Sequence, residues 1–203
     1  MLSYKGAILE KIIVENEHYA TLMLPDMIFG GIHASSNTLL STLYLLAKHP
    51  DKQEKLREEI MLKSGRVYLK ACIKEAMRRM PVATGNIRMT TKEYHVLGYR
   101  IPKDMTITFG HQLLSQMDTQ FPRASEYIPE RWLVPKEDPL YYGNAHPFTF
   151  SPFGFGVRSC LGRRIVELKL EVFISKLFKN FRVGWDGPDP CINYIFINNM
   201  VGP

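Results

Sequence analysis

A long stretch of the chain, from Met117 to Arg158, restricts the possible folds more than any other feature, because it is rich in prolines and aromatic residues and has no clear hydrophobic period. A segment of this length without regular structure is uncommon in a compact domain unless it has a function. It ends in the glycine-rich loop FGFGVRSCLGRR, from Phe153 to Arg164, which runs into a helix expected at about 162–178. No linker divides the 203 residues, so we expect one domain over residues 1–203.

The rest of the chain has clear periodicity, which predicts a mainly α protein with small β-sheets. Apolar residues at helical spacing predict three consecutive helices before the long stretch. From Glu93 the period changes to that of short strands. The predicted boundaries are a first helix ending near Lys48, a second with Asp51 as its N-cap, a break at Ser64–Gly65, a third from Val67 until Pro81, turns at Gly98 and Pro102–Asp104, a short helix at His111–Ser115, and terminal strands around Tyr194–Asn199.

Composition excludes several classes of protein. With 45% hydrophobic and 23% charged residues, the chain has the balance of a soluble globular protein. Its three cysteines, Cys72, Cys160 and Cys191, form no CxxC pair, which argues against a disulfide framework or a structural zinc site and favours a reducing compartment. We expect Cys72 and Cys191 to be buried and inert.

The charge pattern restricts the possible partners. The net charge of +6 is spread over several segments without the aromatic interleaving of a nucleic-acid platform, so no nucleic-acid partner is expected. The remaining alternatives are a solvated basic surface and a docking site for an acidic protein. No apolar run approaches the ~20 residues that a membrane span needs. Residues 1–16, MLSYKGAILEKIIVEN, lack the features of a secretory signal, so no targeting segment is expected in this chain.

Cys160 is the first candidate for chemistry, because it ends a glycine-rich loop just before a predicted helix. The free amides of a helix N-terminus favour a thiolate, which can act as a nucleophile or a metal ligand. No local motif supplies the base that a nucleophile needs. A phosphate cradle would need a third glycine where Ser159 stands.

The predicted first helix contains a second unusual stretch, FGGIHASSNT, at residues 29–38. Gly30 and Gly31 each cost about 1 kcal/mol relative to alanine inside a helix, so we expect something to approach the backbone closely there. Pro25 predicts a helix that is shortened or kinked at that point. Five small or polar residues share one face of this helix: Asp26, Gly30, His33, Asn37 and Ser41.

These motifs together resemble those of the cytochrome P-450 family, the haem-thiolate monooxygenases. The spacing of the cysteine loop matches the family's haem-binding loop, and the opening helix stands in the place of the dioxygen-binding helix. KEAMRR carries a Glu-x-x-Arg pair, and YIPERW resembles the segment with the family's third structural residue. The resemblance implies the C-terminal half of the cytochrome P-450 fold, from the oxygen-binding helix through the thiolate loop and the helix after it.

The resemblance also implies roles for particular residues. Cys160 would be the axial thiolate ligand of haem iron, where the sulfur donates electron density that favours O–O cleavage. Phe153 would pack against that sulfur, and Arg158 and Arg88 would each pair with a haem propionate. The implied residues of the haem pocket also include Gly30, Gly31, Gly156 and Gly162, and the implied buried structural group is Glu75, Arg78 and Arg131, which would hold the long irregular stretch beneath the haem.

Two adjacent positions in the opening helix depart from the family pattern. The family uses an acid followed by threonine to relay protons to reduced dioxygen, and here these positions are His33 and Ala34. Imidazole can relay protons near neutral pH and Ser35 can supply a hydroxyl, so His33 and Ser35 are the predicted relay. Three functions remain open: hydroxylation of a lipophilic substrate such as a sterol or xenobiotic, a truncated remnant that binds haem or partners without catalysis, and, remotely, a cysteine-nucleophile enzyme.

Several details resemble the mitochondrial class of the family, above all HPFTFSPFGFGVRSCLGRRIVELKL. That class implies a small acidic ferredoxin as electron donor, with a flavoprotein reductase as the alternative. It also implies the matrix side of the mitochondrial inner membrane, with the endoplasmic reticulum membrane as the alternative. The predicted docking residues for the electron donor are Lys70, Lys74, Arg79, Arg163, Arg164 and Lys169.

Overall fold

The structure, a computed structural model, describes residues 14, 16–193 and 199–201. It confirms the mainly α class with small β-sheets. The helices of the described residues are α1 (Glu17–Lys48), α2 (Pro50–Leu62), α3 (Val67–Arg79), α4 (His111–Ser115) and α5 (Arg163–Asn180). The strands are β1 (Asn86–Met89), β2 (Tyr94–Val96), β3 (Tyr99–Ile101), β4 (Thr106–Phe109), β5 (Cys191–Asn193) and β6 (Asn199–Val201).

The described strands pair as three antiparallel ladders of two strands, β1 with β4, β2 with β3, and β5 with β6. The predicted turns at Gly98 and Asp104 are confirmed, and both residues have positive φ angles, 84° and 62°. Strand β1 was missed by the sequence prediction, which started the strands at Glu93. Of the predicted terminal strand Tyr194–Asn199, residues 194–198 lie outside the described residues, as do residues 1–13 and 15 of the segment tested for a signal sequence.

The sequence predicted a first helix that is either shortened or kinked at Pro25. Helix α1 runs through Pro25, so it is not shortened there. It begins eight residues earlier, at Glu17, where the Asn16 side chain caps it by accepting a hydrogen bond from the Tyr19 amide at 3.2 Å. The cap satisfies an amide that has no partner inside the helix. Pro25 is therefore an interior position with no amide hydrogen to donate to the preceding turn.

The prediction that Asp51 caps α2 is wrong by two residues. His49 is the N-cap and Pro50 occupies the first helical position, where its fixed φ suits a helix and its missing amide hydrogen costs nothing. Asp51 instead lies in the first turn, where its negative charge interacts favourably with the positive end of the helix dipole.

The hydrophobic core lies between α1, α2, α3 and α5. Only the C-terminal half of α1 reaches it, through Leu45 and Leu46. The other helices contribute Leu56 from α2, Leu69, Cys72, Ile73 and Ala76 from α3, and Leu170, Ile174 and Phe178 from α5. Burial raises the pKa of the Cys72 thiol, which favours the neutral form.

Residues 117–158 contain only short 3-10 turns, as their weak periodicity predicted, and buried charge holds them in place. The Glu75 carboxylate on α3 accepts hydrogen bonds from Arg78 Nη2 at 2.7 Å, Arg131 Nε at 3.0 Å and Trp132 Nε1 at 2.9 Å. Arg78 also donates to the backbone carbonyls of Ser115, Ala124 and Glu126. The structure thus brings the three predicted structural residues together, all fully buried.

Candidate functional site

The loop from Phe153 to Cys160 is a compact turn that ends next to α5. Gly154 and Gly156 have positive φ angles of 69° and 68°, which are easy for glycine and strained for other residues. The Cys160 amide donates back to the Phe153 carbonyl at 2.8 Å and closes the loop. Gly162 is the N-cap of α5, so Cys160 lies at the N-terminal end of that helix with its side chain exposed.

Cys160 lines a cavity of about 530 Å³ between α1 and the loop. This volume lies within the range of ligand and cofactor sites. The lining is mainly apolar, and Asp26, Thr38, Asn86, Arg158 and Cys160 supply its polar side chains. The other residues that line it are Met23, Met27, Gly30, Gly31, Ala34, Met77, Pro81, Val82, Ala83, Pro152, Phe153, Gly154, Leu161, Gly162 and Val166.

Gly30 and Gly31 lie on the cavity face of α1, opposite the cysteine loop. A Cβ atom built on either glycine has no atom within 4 Å outside the nearby helix backbone. The backbone of α1 is therefore accessible to a group in the cavity, as expected from the two glycines inside this helix. Ala34 follows one turn later on the same face and presents only a methyl group.

The structure brings most of the predicted pocket residues to this cavity: Cys160, Arg158, Phe153, Gly162, Gly30 and Gly31. Two predicted residues are not in the lining. Gly156 shapes the loop through its positive φ. Arg88 donates to the carbonyls of Ile87 at 2.7 Å and Phe155 at 2.9 Å, and its guanidinium carbon lies 4.8 Å from the centre of the Phe155 ring, so it braces the loop from the side of β1.

The predicted relay through His33 and Ser35 is not at the cavity. The Ser35 side chain is buried, donates to the Gly31 carbonyl and accepts a hydrogen bond from Lys169 Nζ at 3.1 Å, so it faces α5. His33 lies beside Asn37, with 3.4 Å between His33 Nε2 and Asn37 Nδ2. Neither residue lines the cavity, because the face that does so passes through Met27, Gly30 and Ala34.

Asn86 is a cavity residue that the sequence prediction missed. Its Nδ2 lies 3.3 Å from Nδ1 of His111, and its Oδ1 lies 3.0 Å from the position that a Cβ on Gly154 would occupy. Burial of His111 lowers its pKa, and a hydrogen bond to the Ala83 backbone opposes the shift. With Nδ1 unprotonated, His111 would accept a hydrogen bond from the Asn86 amide. Asn86 lies two residues before Arg88, which was a predicted pocket residue, and this spacing was the signal in the sequence that could have identified Asn86.

The predicted docking residues divide between different faces. Lys74 and Arg163 line one groove of about 250 Å³ beneath the cysteine loop, together with Phe148, Phe153 and Phe155. Lys70 follows the same face of α3 and lies 3.7 Å from Glu171 on α5. Arg164 is exposed in the first turn of α5, next to Arg163.

Arg79 and Lys169 do not join that groove. Arg79 is five residues from Lys74, more than a third of a turn away around α3, and it donates to the Ala124 carbonyl at 3.2 Å. It lines a separate cavity with His49 and Lys52. The Lys169 amine donates to the Ser35 hydroxyl between α5 and α1.

Comparison with known proteins identifies the family. The sequence model described as "Cytochrome P450" matches residues 14–197. The chain belongs to the cytochrome P450 family. Cytochrome P450 CYP12A2 of Musca domestica is 40% identical to it, with 90% of this chain and 38% of the relative covered. The probable mitochondrial cytochrome P450 12b2 of Drosophila melanogaster is 36% identical, with 92% and 38% covered.

The fold agrees with a solved cytochrome P450. The crystal structure of CYP102L1 superposes with a TM-score of 0.75 at 22% identity and covers 86% of this chain and 42% of that one. The chain therefore has part of the cytochrome P450 fold, and it spans about two fifths of the length of the curated relatives it matches. None of the helices in the described ranges is long and apolar enough to cross a bilayer.

The cavity residues fit a haem. Cys160 supplies an exposed sulfur at the cavity wall, Gly30 and Gly31 leave the opposite wall open, and Arg158 supplies a cation for a propionate. No cluster of three or more His, Cys, Asp or Glu residues that could hold a metal ion occurs among the described residues.

Proposed function

We propose that this chain is the C-terminal portion of a haem-thiolate monooxygenase, in which Cys160 would hold the haem iron through its thiolate. The observation that carries the proposal is the placement of Cys160 across a 530 Å³ cavity from two glycines of α1. Bound haem would supply dioxygen activation and insertion of one oxygen atom into a C–H bond of a lipophilic substrate. Sterol-like molecules and xenobiotics are the proposed substrate classes.

The chain's own residues hold and shield the group. Phe153 lines the cavity with Cys160, and the hydrogen bond from the Cys160 amide to the Phe153 carbonyl closes the loop that presents the sulfur. Arg158, which lines the cavity, would pair with a propionate through charge-assisted hydrogen bonds. Arg88 acts indirectly, because its hydrogen bond to the Phe155 carbonyl holds that segment of the loop.

We propose a ferredoxin-type electron donor that docks at the groove beneath the loop. Support comes from the mitochondrial names of similar Drosophila proteins and from the groove cations Lys74 and Arg163, with Lys70 and Arg164 as further contacts. The same names support a mitochondrial location, with the matrix side of the inner membrane as the finer proposal. A flavoprotein reductase and the endoplasmic reticulum are the alternatives.

A second candidate function is haem binding without oxygenation. The observation that favours it is the α1 face, where Ala34 replaces the family's threonine and neither His33 nor Ser35 reaches the cavity. A protein of this kind would take up haem and accept electrons but release reduced oxygen as peroxide or water. Product formed per electron consumed separates the two functions, since only the oxygenase couples electrons to product.

The absorption spectrum of the reduced, haem-loaded chain with carbon monoxide tests the ligand assignment. Thiolate ligation of the iron would give the carbon monoxide complex a strongly red-shifted Soret band, which we expect for the wild-type chain. Cys160→Ser removes the sulfur and is expected to abolish that band. Cys72→Ala is the matched control, because it removes a thiol that lies in the core, away from the cavity, and should leave the band unchanged.

Two results would contradict the proposal. One is that the folded chain takes up no haem when titrated with it. The other is that Cys160→Ser keeps the red-shifted band. The first would remove haem-thiolate chemistry from this chain, and the second would show that a residue other than Cys160 supplies the thiolate, although membership of the family would stand in both cases.

A further inference from the structure

Trp132 is a buried indole beneath the cysteine loop that the proposed function does not use. It is 9% exposed, and its ring centre lies 4.8 Å from that of Phe150. Phe150 lines the groove beneath the loop together with Phe153, and Phe153 also lines the cavity with Cys160. Two phenylalanine side chains of one groove thus lead from Trp132 to the cavity wall that carries the sulfur.

On its other side, Trp132 continues into two tyrosines at the surface. The Tyr142 ring stacks on the indole, with 4.8 Å between the ring centres and 30° between the planes, and the Tyr141 ring lies 4.9 Å from that of Tyr142. Rings at these separations are in direct contact. Tyr142 is 38% exposed. Because tryptophan and tyrosine lose an electron more readily than the other aromatic side chains, these residues form a continuous line of oxidisable rings that ends at water.

The charges around Trp132 set the direction in which an electron vacancy would move. The indole Nε1 donates to the Glu75 carboxylate at 2.9 Å, which stabilises positive charge on the ring. The Lys74 ammonium lies 5.6 Å from the ring centre, and two guanidinium groups already share Glu75, so a cation on the buried indole is unfavourable overall. Tyr142 avoids this cost, because an oxidised phenol releases its proton to water and is left neutral.

We propose that Trp132, Tyr142 and Tyr141 carry oxidising equivalents from the cavity to the surface. A one-electron oxidant at Cys160 takes an electron from Trp132, Trp132 regains one from Tyr142, and Tyr142 loses its phenolic proton to water. Tyr141 restores Tyr142 by giving it an electron and, through water, a proton. A thiol or ascorbate in solution then returns one electron and one proton to Tyr141.

The inference rests on the proposed function only for the natural oxidant, which the haem would supply on reaction with peroxide. The line of rings itself is a property of this chain. It would remove oxidising equivalents that no substrate consumes before they damage the residues around Cys160.

A photo-oxidant attached to Cys160 tests the route without haem. A ruthenium tris-bipyridine label reacts with the exposed Cys160, while Cys72 is fully buried, and Cys191→Ser is the background for every variant. A laser flash in the presence of a soluble electron acceptor oxidises the label, and transient absorption follows the radicals. We expect a tryptophanyl signal that gives way to a tyrosyl signal, which added ascorbate removes.

Three variants assign the order of the steps. Trp132→Phe should abolish both signals. Tyr141→Phe combined with Tyr142→Phe should keep the tryptophanyl signal and lose the tyrosyl signal. Trp185→Phe is the matched control: Trp185 contacts Tyr44 with 5.3 Å between ring centres but lines neither the cavity nor the groove, so its loss should change neither signal.

Circular dichroism checks that each variant folds. Trp132→Phe also loses a buried hydrogen bond, and the double tyrosine variant decides the test if Trp132→Phe does not fold. In the haem-loaded chain, the double tyrosine variant should lose its Soret band to added peroxide faster than the wild type.

Four outcomes would overturn the inference: no tyrosyl signal in the labelled chain, a tyrosyl signal that survives in the double tyrosine variant, an equal loss of signal in Trp185→Phe, or equal rates of haem bleaching by peroxide. A normal red-shifted band with no tyrosyl signal refutes only this inference. The expected radicals in the labelled chain without haem uptake refute only the proposed function.

Discussion

At the scale of single residues, Glu75 is the side chain on which the irregular part of the molecule depends most. Its carboxylate is fully buried and accepts five hydrogen bonds, two from Arg78 and one each from Arg131, Trp132 and the Ile128 amide. Three of these donors belong to the stretch that contains no long helix. One acid on α3 therefore compensates two buried guanidinium groups and fixes the segment that precedes the cysteine loop.

Glu75→Gln is expected to destabilise the chain by about 3–5 kcal/mol, because it leaves two buried arginines without a compensating charge. Urea unfolding followed by circular dichroism measures the loss. Glu93→Gln is the control: Glu93 pairs with Arg100 at the surface, at 2.8 Å, and its loss should cost less than about 1 kcal/mol. Equal effects for the two variants would show that the buried group does not hold the fold.

His111 gives a pH prediction at the same scale. Burial lowers its pKa below the value of about 6.5 in the unfolded chain, so the unfolded state binds more protons in that range. Its stabilising contribution is therefore complete above about pH 6.5 and is lost as the pH falls toward the folded pKa. Protonation would also set a donor at Nδ1 against the donating Asn86 amide.

Unfolding free energies measured between pH 7 and pH 5 test this sign. The wild-type chain should lose stability over the window, and His111→Gln should lose less, because glutamine does not titrate. His95→Gln controls for histidine replacement, since the His95 side chain is 68% exposed, and it should follow the wild type. Identical slopes for wild type and His111→Gln would refute the prediction.

At the scale of elements, α1 combines two environments in one helix. Its C-terminal half packs in the core through Leu45 and Leu46, while its first half has large apolar side chains exposed, including Ile28 at 53% and Phe29 at 77%. The cavity face lies where these environments meet, around Gly30 and Gly31. Glycine lowers the stability of a helix relative to alanine. These two glycines therefore do not stabilise α1, and what they provide is space in the cavity.

Gly30→Ala is expected to raise the free energy of unfolding by about 1 kcal/mol, because alanine is the better helix former and its methyl group meets no atom within 4 Å. Gly30→Leu should keep the fold and sharply weaken haem uptake, since its side chain fills the cavity. Gly98→Ala is the contrasting control: at φ 84° alanine is strained, so that variant should lose stability. A destabilised Gly30→Ala with normal haem uptake would refute the argument.

Elements whose interactions are local in sequence were the ones that the sequence predicted well. The helix at His111–Ser115 and the break before Val67 follow from short-range periodicity and are confirmed at those residues. Strand β1 has four residues and gains its partner β4 from about twenty residues further along, which no local pattern records. Which face of a helix meets the cavity was still harder to predict from the sequence. Ser35 was expected at the cavity, but a hydrogen bond from Lys169 on α5 holds its side chain on the face of α1 that meets α5.

At the scale of the whole molecule, charge is distributed unevenly around the cysteine loop. The net charge of the chain is +6, and Lys74 and Arg163 lie with Glu167 and four phenylalanines in one groove beneath the loop. Arg163 is oriented by Glu167 at 3.0 Å and by the face of Phe153, which fixes its position without covering the groove. A small acidic protein would meet cations and apolar surface in this groove beneath the loop.

Charge reversal at this groove is therefore expected to weaken binding of a small acidic ferredoxin to the haem-loaded chain. Lys74→Glu combined with Arg163→Glu should raise Kd about tenfold or more at low ionic strength, chiefly through slower association. The difference from wild type should shrink as salt rises, because screening acts on exposed charges over about 10 Å at 0.1 M. Lys103→Glu, at an exposed turn away from the groove, makes the same change in net charge per residue and should have little effect. If Lys103→Glu weakened binding as much per charge as the groove variant, net charge and not this surface would explain the attraction.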